Sequence, residues 1–85
     1  MQFFFSLTFA LPEGQTLDAE QLQAQLASVP LTLEPASGQV ESFTAHFSPD
    51  GDNVTVELEK ARQDVEDTIA GAQLVGMDLL ETPSH

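Results

Sequence analysis

Asn53-Val-Thr-Val-Glu-Leu-Glu-Lys-Ala-Arg-Gln-Asp-Val-Glu-Asp-Thr-Ile-Ala-Gly-Ala72 is the stretch whose reading decides the fold. Two templates compete for it. Val54, Val56 and Leu58 alternate as a strand would, which makes a hairpin across the Pro49-Asp-Gly-Asp-Asn53 break. Against that, Val54, Leu58, Ala61, Val65, Ile69 and Ala72 recur at steps of four, three, four, four and three, a sustained helical stripe. The helical template accounts for more residues. Asp52 or Asn53 supplies an N-cap, acids populate the first turns, and Gly71 supplies the stop. A helix over Asn53–Ala70 is therefore expected.

Working outward, Gln73–Leu80 reads as a final strand, and Glu81–His85 as a frayed tail. On the N-terminal side, Gln2–Ala10 alternates with period two, placing Phe3, Phe5, Leu7 and Phe9 on one face. Pro12, Glu13 and Gly14 end that strand. Asp18 sits where an N-cap belongs, ahead of a helix with Leu22 and Leu26 on its apolar stripe, extended by Ala19 and Val29, and stopped by Pro30. Leu31–Glu34 reads as a short edge strand. Gln39–Ser48 reads as a long central one, with Phe43, Ala45 and Phe47 on its core face.

The resulting order, β-α-β-β-α-β, is an α+β chain of the ferredoxin-like type. It predicts an antiparallel four-stranded sheet with both helices on one face. Residues 1–80 are expected to form one domain, with 81–85 as tail. The uncovered face of the sheet would carry Phe4, Ser6, Thr8, Val40, Ser42, Thr44 and His46. Two readings of that face stand side by side: an ordinary half-wet sheet surface, or a seat for a second copy built on Phe4, Val40 and Thr44.

Composition bounds function more sharply than fold. Fourteen acidic residues face two basic ones across 85 residues, a formal charge of −12. A surface so negative repels phosphate, which argues against direct binding to DNA, RNA or an anionic membrane. It favours a basic partner. At 41% apolar residues the chain is expected to fold rather than remain an acidic disordered tail. With no cysteine, disulfides and thiolate metal sites are excluded. Phe3–Leu11, the longest apolar run, is interrupted by Ser6 and Thr8, is too short to span a bilayer, and has no basic leader before it. A cytoplasmic location is expected.

Three segments carry a family resemblance: Phe5-Ser-Leu-Thr-Phe-Ala-Leu-Pro12, Asp18-Ala-Glu-Gln-Leu22, and Asp64-Val65 followed by Ile69-Ala-Gly-Ala-Gln-Leu-Val75. They resemble the ferredoxin-like N-terminal domain of small proteobacterial DNA-binding, antitoxin-like helix-turn-helix proteins, over about residues 3–80. The resemblance implies a helix directly before the Ile69–Val75 segment, the ferredoxin-like fold, and dimerisation. Members of that group continue into DNA-reading helices, whereas this sequence stops at Ser84-His85. Lys60 and Arg62 do not suffice to anchor a duplex, so the implied DNA binding is not carried over.

Half of the acids fall within eighteen residues: Asp50, Asp52, Glu57, Glu59, Asp64, Glu66 and Asp67. On a helix, Glu57, Lys60, Asp64 and Asp67 share one flank with Glu59, Gln63 and Glu66 beside them, and Arg62 can pair with Glu59 or Glu66. A solvated face that keeps a small protein soluble is the plain reading. A negative ridge offered to a basic cleft, with carboxylates in place of phosphates, is the sharper one. Asp50-Gly-Asp-Asn53 opens like a calcium loop, but Thr55 stands at its sixth position and Ala61 at its twelfth, so no metal site is expected. His46 reads as a strand-face histidine and His85 as part of the tail. No nucleophile elbow, phosphate-cradling glycine loop or dinucleotide fingerprint is present, so neither catalysis nor a cofactor is expected.

Two functions follow. The first is a phage-type inhibitor, of the anti-CRISPR or anti-restriction kind, that blocks a basic nucleic-acid-binding complex by charge mimicry. Its contact residues would be the seven acids above. The second is a dimerisation or regulatory domain related to the helix-turn-helix proteins, acting through Phe4, Val40 and Thr44.

Overall fold

The computed structural model describes residues 2–80. The expected tail, 81–85, lies outside them. The protein is α+β, with two helices and an antiparallel four-stranded sheet accompanied by a two-stranded ladder. In chain order the elements are β1 (Phe4–Ala10), β2 (Leu17–Asp18), α1 (Ala19–Gln25), β3 (Thr32–Leu33), β4 (Gln39–Val40), β5 (Ser42–Phe47), α2 (Val54–Thr68) and β6 (Gln73–Leu80).

The ambiguous stretch is helical. Asn53 is its N-cap, with extended backbone and a side chain accepting from the Thr55 amide at 2.9 Å. Ala61 and Val65 are buried, Val54 and Leu58 pack partly against the same core, and Val56 is 51% exposed. A hairpin strand would have put Val54, Val56 and Leu58 on one face. The helix ends at Thr68, two residues before the expected Ala70. There Ile69 turns to extended backbone and buries itself, and Gly71 takes φ +86°. A Cβ at Gly71 would lie 2.8 Å from Pro12 Cγ, so the chain reversal needs glycine for space as well as for backbone conformation.

The first helix starts where expected, with Asp18 accepting from the Glu20 amide at 2.9 Å. It is shorter than expected. Beyond Gln25 the backbone tightens into three-residue turns, Ala27 to Ala24 and Val29 to Leu26. Pro30 disfavours helical backbone at the residue before it, which accounts for the unwinding.

The main sheet runs β3-β5-β1-β6, every neighbouring pair antiparallel. Phe5 opposes Phe47 and Phe9 opposes Phe43, and each pair stacks at 5.4 Å between ring centroids. These rings join Leu7 and Ala45 in one core with Leu22 of α1 and Leu26 at its C-terminal end, with Ala61 and Val65 of α2, and with Ile69 just beyond it. Both helices therefore cover the same sheet face.

The long central strand expected over Gln39–Ser48 is divided. Gln39 and Val40 pair with Asp18 and Leu17, while Ser42–Phe47 alone enters the main sheet. The division follows from the start of α1: the Ala19 amide donates to the Gly38 carbonyl, holding residues 38–40 beside Leu17–Asp18. Val40 consequently packs against the core rather than on the uncovered face, correcting its expected place beside Phe4 and Thr44.

Candidate functional site

The seven acids of the second helix and its approach do not form a single ridge. On α2, Glu57 and Asp64 border an open cleft of about 530 Å³ between the helix and the ends of β3 and β5. Lys60 lies between them and His46, Thr32 and Pro49 line the far wall. Lys60 makes no ion pair among the described residues. Glu57 is half-buried and folds back over the loop before the helix; its Oε2 would sit 2.7 Å from a Cβ placed on Gly51. An acid in the first turn is also favoured by the helix dipole.

On the opposite flank Arg62 bridges two of the acids. It donates to Glu59 at 2.6 Å and lies 3.5 Å from Glu66, spacings of three and four residues. The hydrogen bond and charge of Glu59, followed by the charge of Glu66, hold the guanidinium above its ordinary pKa. Asp67 accepts from the Gln63 side chain at 2.9 Å. Asp52 is exposed in the loop before Asn53, and the backbone of Asp50 bridges to Gln2. The structure thus brings Glu57 and Asp64 together at the cleft, and Glu59 and Glu66 around Arg62. Asp67 stands near the end of the helix, and Asp50 and Asp52 in its approach.

Counting Glu57 to Asp67, five acids and two bases leave three net negative charges (5 − 2 = 3). Ten residues at ~1.5 Å rise span about 15 Å. One strand of duplex DNA presents about four phosphates over that length. Summed over both flanks, the helix carries three net charges against about four for a single nucleic-acid strand, and Asp52 is exposed in its approach.

The uncovered face of the sheet is polar. Thr8 and Thr44 share a hydroxyl hydrogen bond at 3.0 Å, His46 and Glu34 lie 3.3 Å apart, and Ser6 is buried between His46 and Asp78 on neighbouring strands. Phe4 is half-buried at one end of that face. Among the described residues no group of three or more histidines and carboxylates is placed to hold a metal ion, and no helix is long and apolar enough to cross a membrane.

One exposed apolar feature goes beyond the expected sites. Val75, Met77 and Leu79 on β6 are 60%, 61% and 52% exposed. Their alternation is visible in the sequence, but their exposure depends on β6 being an outer strand, which is a property of topology. No protein-family model, curated protein or solved structure matches this chain.

Proposed function

We propose that this protein is a non-catalytic, acidic interaction module of ferredoxin-like architecture. Its second helix presents carboxylates in place of phosphates to a basic nucleic-acid-binding protein or complex. In the main sheet the strand order, counted in chain sequence, is second, third, first, fourth, with helices after the first and third. That arrangement supports the ferredoxin-like reading and, with it, the resemblance to antitoxin-like N-terminal domains.

The observation that carries the functional reading is the charge density along α2, with Asp64 and Asp67 exposed on a flank whose only base is Lys60. Opposite fields steer encounter and make association fast and salt-sensitive, which suits an inhibitor competing with nucleic acid. Inhibition of the anti-CRISPR or anti-restriction kind is the form this takes. The alternative, a dimerisation domain acting through Phe4, Val40 and Thr44, has less support: Val40 packs on the core and the Thr44 hydroxyl is engaged by Thr8.

The test is capture of partners from bacterial lysate on the tagged protein, followed by a rising salt gradient. A basic nucleic-acid-binding protein should elute below ~0.5 M salt, where the Debye length has shrunk to about 4 Å. The double reversal Asp64→Lys/Asp67→Lys should abolish that capture. Capture undiminished by the reversal would leave the helix acids a merely solvating role.

A further inference from the structure

The two edges of the main sheet differ. β3 is two residues long and is flanked by Pro30 and Pro35, a blunted edge with little backbone to offer. β6 is eight residues long, contains no proline and no lysine, and carries a single charge, Asp78. A long, weakly charged edge with exposed apolar side chains is one that natural folds either protect or use.

The hydrogen-bond phase shows what this edge presents. The Leu11 amide donates to Glu41 O, and the same register pairs Phe9 with Phe43 and Leu7 with Ala45. The odd-numbered residues of β1 thus exchange hydrogen bonds with β5, and the even-numbered ones turn to β6. Opposite Thr8 and Ser6 stand Gly76 and Asp78, whose backbone groups point inward to β1. Met77 and Leu79 therefore turn their N–H and C=O groups outward, and their side chains are more than half exposed as well. A register shift at Thr8/Phe9 accommodates Val75 as an extra residue.

We propose that β6 is a self-association edge. Two copies pair antiparallel about a two-fold axis through Met77, joining their sheets into one. A second copy fits because the strand is complementary to itself in this register. Met77 exchanges both backbone bonds with the partner's Met77, Val75 faces the partner's Leu79, and Asp78 falls opposite the partner's Gly76. Moving the axis to Asp78 would set two carboxylates face to face; moving it to Gly76 would leave Leu79 opposite Gln73. Within Gln73–Leu80, Asp78 is the one charge of a −12 chain. Screening the repulsion between two such chains with salt strengthens this contact, the opposite of its effect on the charge-mimicking contact of α2.

Sedimentation of the full chain tests this across a dilution series from millimolar to low micromolar. The mass should move from 9.2 kDa towards twice that value, and the midpoint should shift to lower protein concentration at higher salt. Met77→Pro removes only an outward-pointing N–H and should abolish the dimer. Cysteine substitution then reads the register in a chain that has no other thiol. Met77→Cys should oxidise to a linked dimer, because hydrogen-bonded antiparallel partners stand ~5.5 Å apart at Cα, within disulfide reach. Val75→Cys alone should not, whereas an equimolar mixture of Val75→Cys and Leu79→Cys chains should link to each other. A monomer at every concentration and salt overturns the proposal. So does preferential self-linking of Val75→Cys, and so does a dimer that Met77→Pro leaves intact in a folded chain.

Discussion

Phe9 is fully buried and stacked on Phe43, while Phe5, at 1% exposed, repeats the arrangement with Phe47 further along the sheet. Each pair joins β1 to β5 on the face both helices cover. Phe9→Ala should therefore cost about 3–5 kcal/mol. For a domain this small that approaches the whole stability, so loss of the cooperative thermal transition by circular dichroism is expected. Gly71 makes a second residue-scale prediction. Gly14 and Gly71 share a left-handed backbone, at φ +81° and +86°, but only Gly71 has Pro12 against its missing side chain. Gly14→Ala should destabilise by about 1–2 kcal/mol from backbone strain alone. Gly71→Ala should destabilise by more, and denaturant unfolding of the two variants isolates the steric part.

At the scale of elements, α2 is held by its cap and by one apolar stripe. Asn53→Ala should destabilise by about 0.5–2 kcal/mol, and Asn53→Asp should largely restore the loss. At about 4–8 °C per kcal/mol for a domain near this size, the difference is readable in a melting curve. Val56 and Leu58 discriminate helix from hairpin directly. Val56→Lys should shift stability by no more than about 0.5 kcal/mol, because that side chain faces solvent. Leu58→Lys should be severely destabilising, because it drives a charge against the core that Leu58 packs on. Equal damage from both would contradict the helical stripe.

Across the whole molecule, charge opposes compaction. Twelve uncompensated negative charges on one small domain repel each other, and screening relieves that repulsion. The melting temperature should rise as sodium chloride increases from low to moderate concentration. A falling melting temperature would mean that the Arg62 pairs, which salt weakens, outweigh the net repulsion. The same charge separates the two proposed contacts: the one through the α2 acids should weaken as salt rises, and the one through the β6 edge should strengthen.

Features resting on short-range chemistry are legible in the amino-acid sequence alone. The Asp18 cap, a cap for α2 at Asp52 or Asn53, the turn at Gly71, the bounds of β6 and the 3.6-residue stripe of α2 all depend on residues within a few positions of one another. Net charge likewise needs only counting. Tertiary structure alone decided what depends on distant pairing. Gln39 and Val40 alternate smoothly into Ser42–Phe47, yet they leave the main sheet because Leu17 and Asp18, far back in the chain, compete for their backbone bonds. The seven acids are clustered in sequence, but Asp50 and Asp52 fall in the approach to α2, and the ~100° turn per residue and the position of Arg62 divide the five on the helix between two flanks. Val75, Met77 and Leu79 resemble the core alternation of any strand. Their exposure follows from β6 ending the sheet, and strand order is set by which segments close on each other, a long-range outcome that local periodicity does not encode.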